Sequence, residues 1–61
     1  MNFKLELEKL NGEKINFTID LEEMDYIVQQ IKFNQPFVII LDKDIIAFSP
    51  SQLVSIKISE L

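Results

Sequence analysis

The sequence predicts a small α+β domain whose elements follow the order strand, strand, helix, strand, strand, strand. Apolar and polar residues alternate in two N-terminal segments and in one C-terminal segment, which is typical of half-buried strands. Apolar residues at helical spacing lie between them, and two short runs after the helix are apolar at every position. We therefore expect one antiparallel ββαβββ sheet with an amphipathic helix packed on one face. The predicted single domain, residues 1–61, has strands at about 2–9, 14–19, 37–41, 45–48 and 53–59 and a helix at about 21–33.

The first two strands have an apolar face that determines how they pair. Their apolar side chains are Phe3, Leu5 and Leu7 on the first strand and Ile15, Phe17 and Ile19 on the second. A two-residue turn at Asn11 and Gly12 would pair Leu7 with Asn16, and so set an inward residue opposite an outward one. A loop that is one residue longer pairs Leu7 with Ile15 instead. We therefore expect a three-residue loop with Gly12 in the left-handed conformation.

The helix has clear signals at both ends. Asp20 is suited to the N-cap, and Glu23 three residues later completes a capping box. Asn34 is a candidate left-handed cap at the other end, and Pro36 prevents the helix from continuing. The packing stripe between these signals consists of Leu21, Met24, Ile27, Val28 and Ile31.

The hairpin after the helix is apolar on both faces. Its strands are separated by Asp42, Lys43 and Asp44 and do not alternate, so one face meets the helix and the other needs a separate cover. A second copy of the chain is the expected cover, and the alternative is a small barrel in which the first hairpin folds back over the second. Depending on register, the outward set is either Val38, Ile40, Ile46 and Phe48, which we take as the oligomer interface, or Phe37, Ile39, Leu41, Ile45 and Ala47.

Chain length also favours oligomerisation. A chain of 61 residues buries only about 60% of the surface that it exposes when unfolded. Small domains usually compensate with disulfides, a metal or self-association, and this chain has neither cysteine nor histidine. We therefore expect a homo-oligomer, most simply a dimer.

Composition narrows the classes of partner. The net charge is −4, from ten acids and six lysines, and the absence of arginine removes the side chain that best recognises phosphates and guanines. The apolar runs are far shorter than the roughly 20 residues of a membrane helix. We expect a cytoplasmic protein with a protein partner, and with neither nucleic acid nor membrane as a partner.

The chain contains no catalytic, metal or phosphate motif, so we expect neither an enzyme nor a cofactor. Asp42 and Asp44 have a spacing that can begin a calcium or magnesium site, but a hairpin loop with Asx hydrogen bonds explains them more simply. Ser55 and Lys57 share one strand face and are the residue types of the serine–lysine pair that some hydrolases use. A lysine in water is not activated as a base, so a solvated strand face is the better explanation.

The exposed side of the helix is the candidate partner-binding surface. It carries Glu22, Glu23, Tyr26, Gln29 and Gln30. An exposed tyrosine among amides is a common binding patch, and the acids could occupy a basic groove on another protein. The simpler alternative is a tyrosine at the edge of the core with its hydroxyl in water.

The small, acidic, cysteine-free chain, with its final stretch IIAFSPSQLVSIKI at residues 45–58, resembles the short accessory proteins encoded by phages and prophages of low-GC Gram-positive bacteria. This resemblance implies an anti-defence role: binding and blocking a host enzyme or immune effector in the host cytoplasm, or sequestering a signalling nucleotide. It assigns no role to any individual residue.

Together these observations predict a non-enzymatic, homo-oligomeric binding module that acts as an inhibitor by protein–protein contact. The first alternative is a small-molecule sequestering protein with inter-subunit pockets, in which Lys43 or Lys57 meets an anionic ligand. The second alternative is a structural subunit of a larger assembly.

Overall fold

Two antiparallel sheets carry the five strands in the computed structural model, which describes all of residues 1–61. The α+β class and the ββαβββ order are confirmed, but the expectation of a single sheet is wrong. Strands β2, β1 and β5 form one sheet in that order, whereas β3 and β4 pair only with each other. The elements are β1 (Asn2–Lys9), β2 (Lys14–Asp20), α1 (Leu21–Lys32), β3 (Phe37–Ile40), β4 (Ile45–Phe48), a short 3₁₀ turn (Pro50–Gln52) and β5 (Leu53–Glu60).

The first hairpin has the predicted register. Leu7 lies opposite Ile15, and the Lys9 amide donates to the Glu13 carbonyl at 2.8 Å, which leaves a three-residue loop. Gly12 has φ +88°, a conformation that side-chain-bearing residues adopt at a cost. The inference from alternation and turn chemistry is therefore confirmed.

The central strand β1 is buried on one face and solvated on the other. On its inner face Leu5 is flanked by Phe17 of β2 and Ile58 of β5, and it is completely buried. On its outer face Glu6 lies between Asn16 and Lys57. The polar side of this sheet therefore faces water and needs no cover.

Helix α1 begins and ends where the sequence signals place its boundaries. The Asp20 carboxylate accepts a hydrogen bond from the Glu23 amide at 2.8 Å, and the Glu23 carboxylate accepts one from the Asp20 amide at 3.2 Å. At the other end Asn34 has φ +54°, as expected of a left-handed cap. The Gln30 side-chain amide donates to the Pro36 carbonyl at 2.8 Å and holds the chain as it turns into β3.

One core lies between the three-stranded sheet and an outer layer made of α1 and the β3–β4 hairpin. Phe48 joins the two sheets: its ring lies 6.0 Å from the Phe17 ring and 5.7 Å from the Phe37 ring, centroid to centroid. The hairpin therefore lies over the face of the larger sheet and does not extend its edge. The fully or nearly buried side chains are Phe3, Leu5, Leu7, Ile19, Ile27, Phe37, Ile39 and Phe48. No helix of the structure has the length and apolar character needed to cross a membrane.

Candidate interaction surface

The register of the β3–β4 hairpin determines which of its apolar side chains face outward. Ile39 lies opposite Ile46, and Ile40 lies opposite Ile45. Directly opposed residues of antiparallel strands point to the same face. Ile39 is buried and Ile46 is half-buried against the core, whereas Ile40 and Ile45 are 69% and 71% exposed, so the first pair faces the core and the second faces outward.

The predicted oligomer interface is therefore divided between the two faces. Val38 and Ile40 point outward, but Phe48 is buried in the chain's own core and Ile46 packs against that core. The prediction assumed that residues 42–44 separate the strands. In the structure the Leu41 amide donates to the Asp44 carbonyl at 2.8 Å, so the loop is one residue shorter. A shift of one residue moves every side chain of β4 to the opposite face.

The corrected outward set, which we call the hairpin face, consists of Val38, Ile40, Ile45 and Ala47. All four are exposed. Ile45 and Ala47 belonged to the other predicted set; only the length of the turn could have joined them to Val38 and Ile40. Asp42 suits the first position of a two-residue hairpin turn, but Lys43 stands where such turns favour glycine, so the sequence signal was weak.

A groove joins the hairpin face to the predicted partner-binding surface. Glu22, Glu23 and Tyr26 of α1 line it on one side and Val38 and Ile40 of β3 on the other, and its volume is about 500 Å³. The hairpin face and the partner-binding surface, which were predicted as separate surfaces, are therefore continuous. Ile40 and Ile45, each about 70% exposed, form the most protruding part of this surface.

Two residues of the predicted partner-binding surface have structural roles. The Glu23 carboxylate completes the capping box, and the Gln30 amide is bonded to the Pro36 carbonyl. Glu22 and Gln29 are exposed, and Tyr26 is 42% exposed at the edge of the groove. The side chains free to meet a partner are therefore those of Glu22, Tyr26 and Gln29.

Charge is distributed unevenly along the outer layer. Asp42 and Asp44 lie at the tip of the hairpin, and Glu22 and Glu23 at the start of α1 border the groove beside Ile40 at the same end. The opposite end of the layer is formed by residues 32–37 and 48–52. It carries one formal charge, that of Lys32. The outer layer is therefore acidic at the hairpin tip and nearly neutral at the other end.

Neither of the candidate chemical sites is assembled by the fold. No group of three or more acidic, histidine or cysteine residues is placed to hold a metal ion. Asp42 and Asp44 lie exposed at the hairpin tip, and the backbone contact across it is the Leu41 amide to the Asp44 carbonyl and not an Asx hydrogen bond. Lys57 lies on the exposed outer face of the larger sheet, opposite Glu6. An exposed lysine in that position has no means of acting as a base at neutral pH.

A second cleft, of about 460 Å³, lies between the β1–β2 turn and β4. Lys9 is the one cationic side chain that lines it, and its Nζ forms an ion pair with Oε1 of Glu13 at 3.1 Å. Because the Glu13 carboxylate lies beside the Lys9 ammonium, their charges largely cancel at this end of the cleft, which therefore attracts an anionic ligand weakly.

Comparisons of the chain with protein-family models, curated protein sequences and solved structures find no match.

Proposed function

We propose that this protein is a non-enzymatic, homo-oligomeric binding module that acts by protein–protein contact. The observation that carries the proposal is the hairpin face, on which Ile40 and Ile45 are directly paired and about 70% exposed. A contiguous apolar patch of this kind on a small acidic chain favours an interface over free exposure to water. A second copy of the chain is the proposed cover.

The small core of the chain also favours self-association. The chain's own core is small, since only 8 of 61 residues are buried, so additional burial stabilises the fold as well as the dimer.

The exposed acids of α1 are the proposed contact with a different protein. Glu22 and Asp25 are exposed, and Gln29 lies exposed on the same helix. Such a surface complements a basic patch and speeds association with it more than it raises affinity. Occupying a surface of a host enzyme or immune effector is what the resemblance to phage accessory proteins implies.

The two alternatives have less support. A sequestering protein for an anionic metabolite needs a pocket in which cations outnumber acids. Lys43 lies between Asp42 and Asp44 at the exposed hairpin tip. Lys57 shares a small pocket with Lys14, Glu6 and Glu8, so neither lysine lies in a net positive site. A structural subunit of a larger assembly would use the same hairpin face, and it would aggregate alone and dissolve with its partner.

Light scattering of the purified chain over a hundredfold dilution tests self-association. We expect a mass of two subunits for the wild type and one subunit for Ile45→Glu, because a buried unpaired carboxylate costs several kcal/mol. The matched control is Val54→Glu, the same type of change at a 57% exposed strand position outside the hairpin face. A wild-type monomer at every concentration, or equal loss of the dimer in both variants, would refute the proposal.

Charge reversal tests the partner contact. Glu22→Lys should abolish retention of a host protein on the immobilised chain, whereas Glu60→Lys, at an exposed position on β5, should preserve it. Retention by Glu22→Lys at the wild-type level would exclude the helix acids as the contact.

A further inference from the structure

We propose that the second copy packs on the hairpin face in the reversed direction, so that the two hairpin tips point away from each other. In this arrangement the Ile40–Ile45 pair of one copy lies on the Val38–Ala47 pair of the other. The inference rests on the proposed self-association and adds to it the relative orientation of the copies. Two features of the outer layer, the height of its side chains and the position of its charges, support it independently.

Side-chain size along the hairpin face favours reversal. The pair nearest the tip protrudes furthest, since Ile40 and Ile45 are both large and about 70% exposed. The next pair is lower, because Val38 is 39% exposed and Ala47 ends at its β-carbon. Facing layers pack well when large residues meet small ones. In the reversed arrangement the protruding Ile40–Ile45 pair of each copy packs on the smaller Val38–Ala47 pair of the other. If the tips point the same way, the four isoleucines meet each other and a gap remains beside Ala47.

Charge favours the same arrangement. Two aspartates and one lysine at the hairpin tip and two glutamates at the start of α1 make this end net negative. Tips that point the same way would bring two such ends within about 10 Å, a distance over which salt screens the repulsion only in part. Reversal places each acidic tip beside the nearly neutral end of the other copy, where Lys32 is the single formal charge.

The absence of cysteine permits a direct test, because each introduced thiol is unique. Lys43→Cys marks the exposed hairpin tip, and Gln35→Cys marks an exposed position at the opposite end of the layer. Six residues of strand and turn separate these ends by about 20 Å. A bismaleimide that spans about 10 Å is shorter than this separation, so it joins only those ends of the two copies that lie beside each other.

We expect covalent dimers in an equal mixture of the two variants and none with either variant alone. Adding Ile45→Glu to both should abolish the product, which shows that cross-linking depends on the hairpin face. Cross-linking of Lys43→Cys with itself would overturn the reversed arrangement and establish tips that point the same way. A dimer by light scattering with no mixed product would reject the orientation alone, whereas a monomer by light scattering would reject self-association as well.

Discussion

Phe17 of β2 and Phe48 of β4 meet edge to face, with their ring centroids 6.0 Å apart and their planes at 66°. This contact links strands that share no backbone hydrogen bonds, because β2 and β4 belong to different sheets. Its geometry is one of those that aromatic pairs prefer. The contact places the inner face of the hairpin over the larger sheet, and so leaves the hairpin face on the outside.

Removal of the Phe48 ring should destabilise the protein more than removal of any exposed ring. Phe48→Ala removes a buried ring that contacts two other rings, so we expect the free energy of unfolding to fall by about 3–5 kcal/mol. Phe33→Ala is the control, since Phe33 is 65% exposed, and it should change stability by less than about 1 kcal/mol. Denaturant unfolding at one fixed protein concentration measures both. Similar losses in the two variants would contradict the assignment of Phe48 to the core.

The left-handed conformation of Gly12 predicts a cost for any side chain there. A β-carbon at this position would meet no atom within 4 Å, so the effect of Gly12→Ala arises from the backbone and not from a clash. We expect Gly12→Ala to lower the free energy of unfolding by about 1–2 kcal/mol. Gly12→Asn should lose less, because asparagine tolerates positive φ better than alanine does. Thermal unfolding of the two variants separates the explanations, since a steric cause would make asparagine the worse residue.

The capping box predicts a difference between two substitutions at Asp20. Asp20→Ala removes the acceptor for the Glu23 amide, so we expect a loss of about 1 kcal/mol. In a domain of this size that loss lowers the melting temperature by about 4–8 °C. Asp20→Asn retains an acceptor oxygen and should melt close to the wild type. Circular dichroism during heating gives both values, and an unchanged melting temperature in Asp20→Ala would show that the helix start does not depend on the cap.

Two adjacent glutamines should respond differently to truncation. Gln30 donates to the Pro36 carbonyl and is half-buried, whereas Gln29 is exposed. We expect Gln30→Ala to be less stable than Gln29→Ala by about 0.5–1.5 kcal/mol, the usual net contribution of one hydrogen bond. Denaturant midpoints measure the difference. If the two variants unfold at the same midpoint, Gln30 returns to the set of residues free to bind a partner.

Local signals predicted the parts of the fold that depend on neighbouring residues. The pairing of Leu7 with Ile15 follows from clean alternation on both strands together with the conformation that Gly12 permits. The start of α1 follows from Asp20 and Glu23, which bond each other across one helical turn. Each of these features is determined within a few residues of chain, so the sequence by itself was sufficient.

The tertiary structure alone decided how the second hairpin is placed. Both of its faces are apolar, so alternation cannot distinguish a two-residue tip from a three-residue one, and the predicted outward set wrongly included Ile46 and Phe48. In the structure Phe48 packs against Phe17 from a separate two-stranded sheet, and this position of Phe48 is compatible only with the shorter tip. The physical reason is that burial of apolar surface has no direction, and therefore the choice of buried face depends on the shape of the core into which it fits.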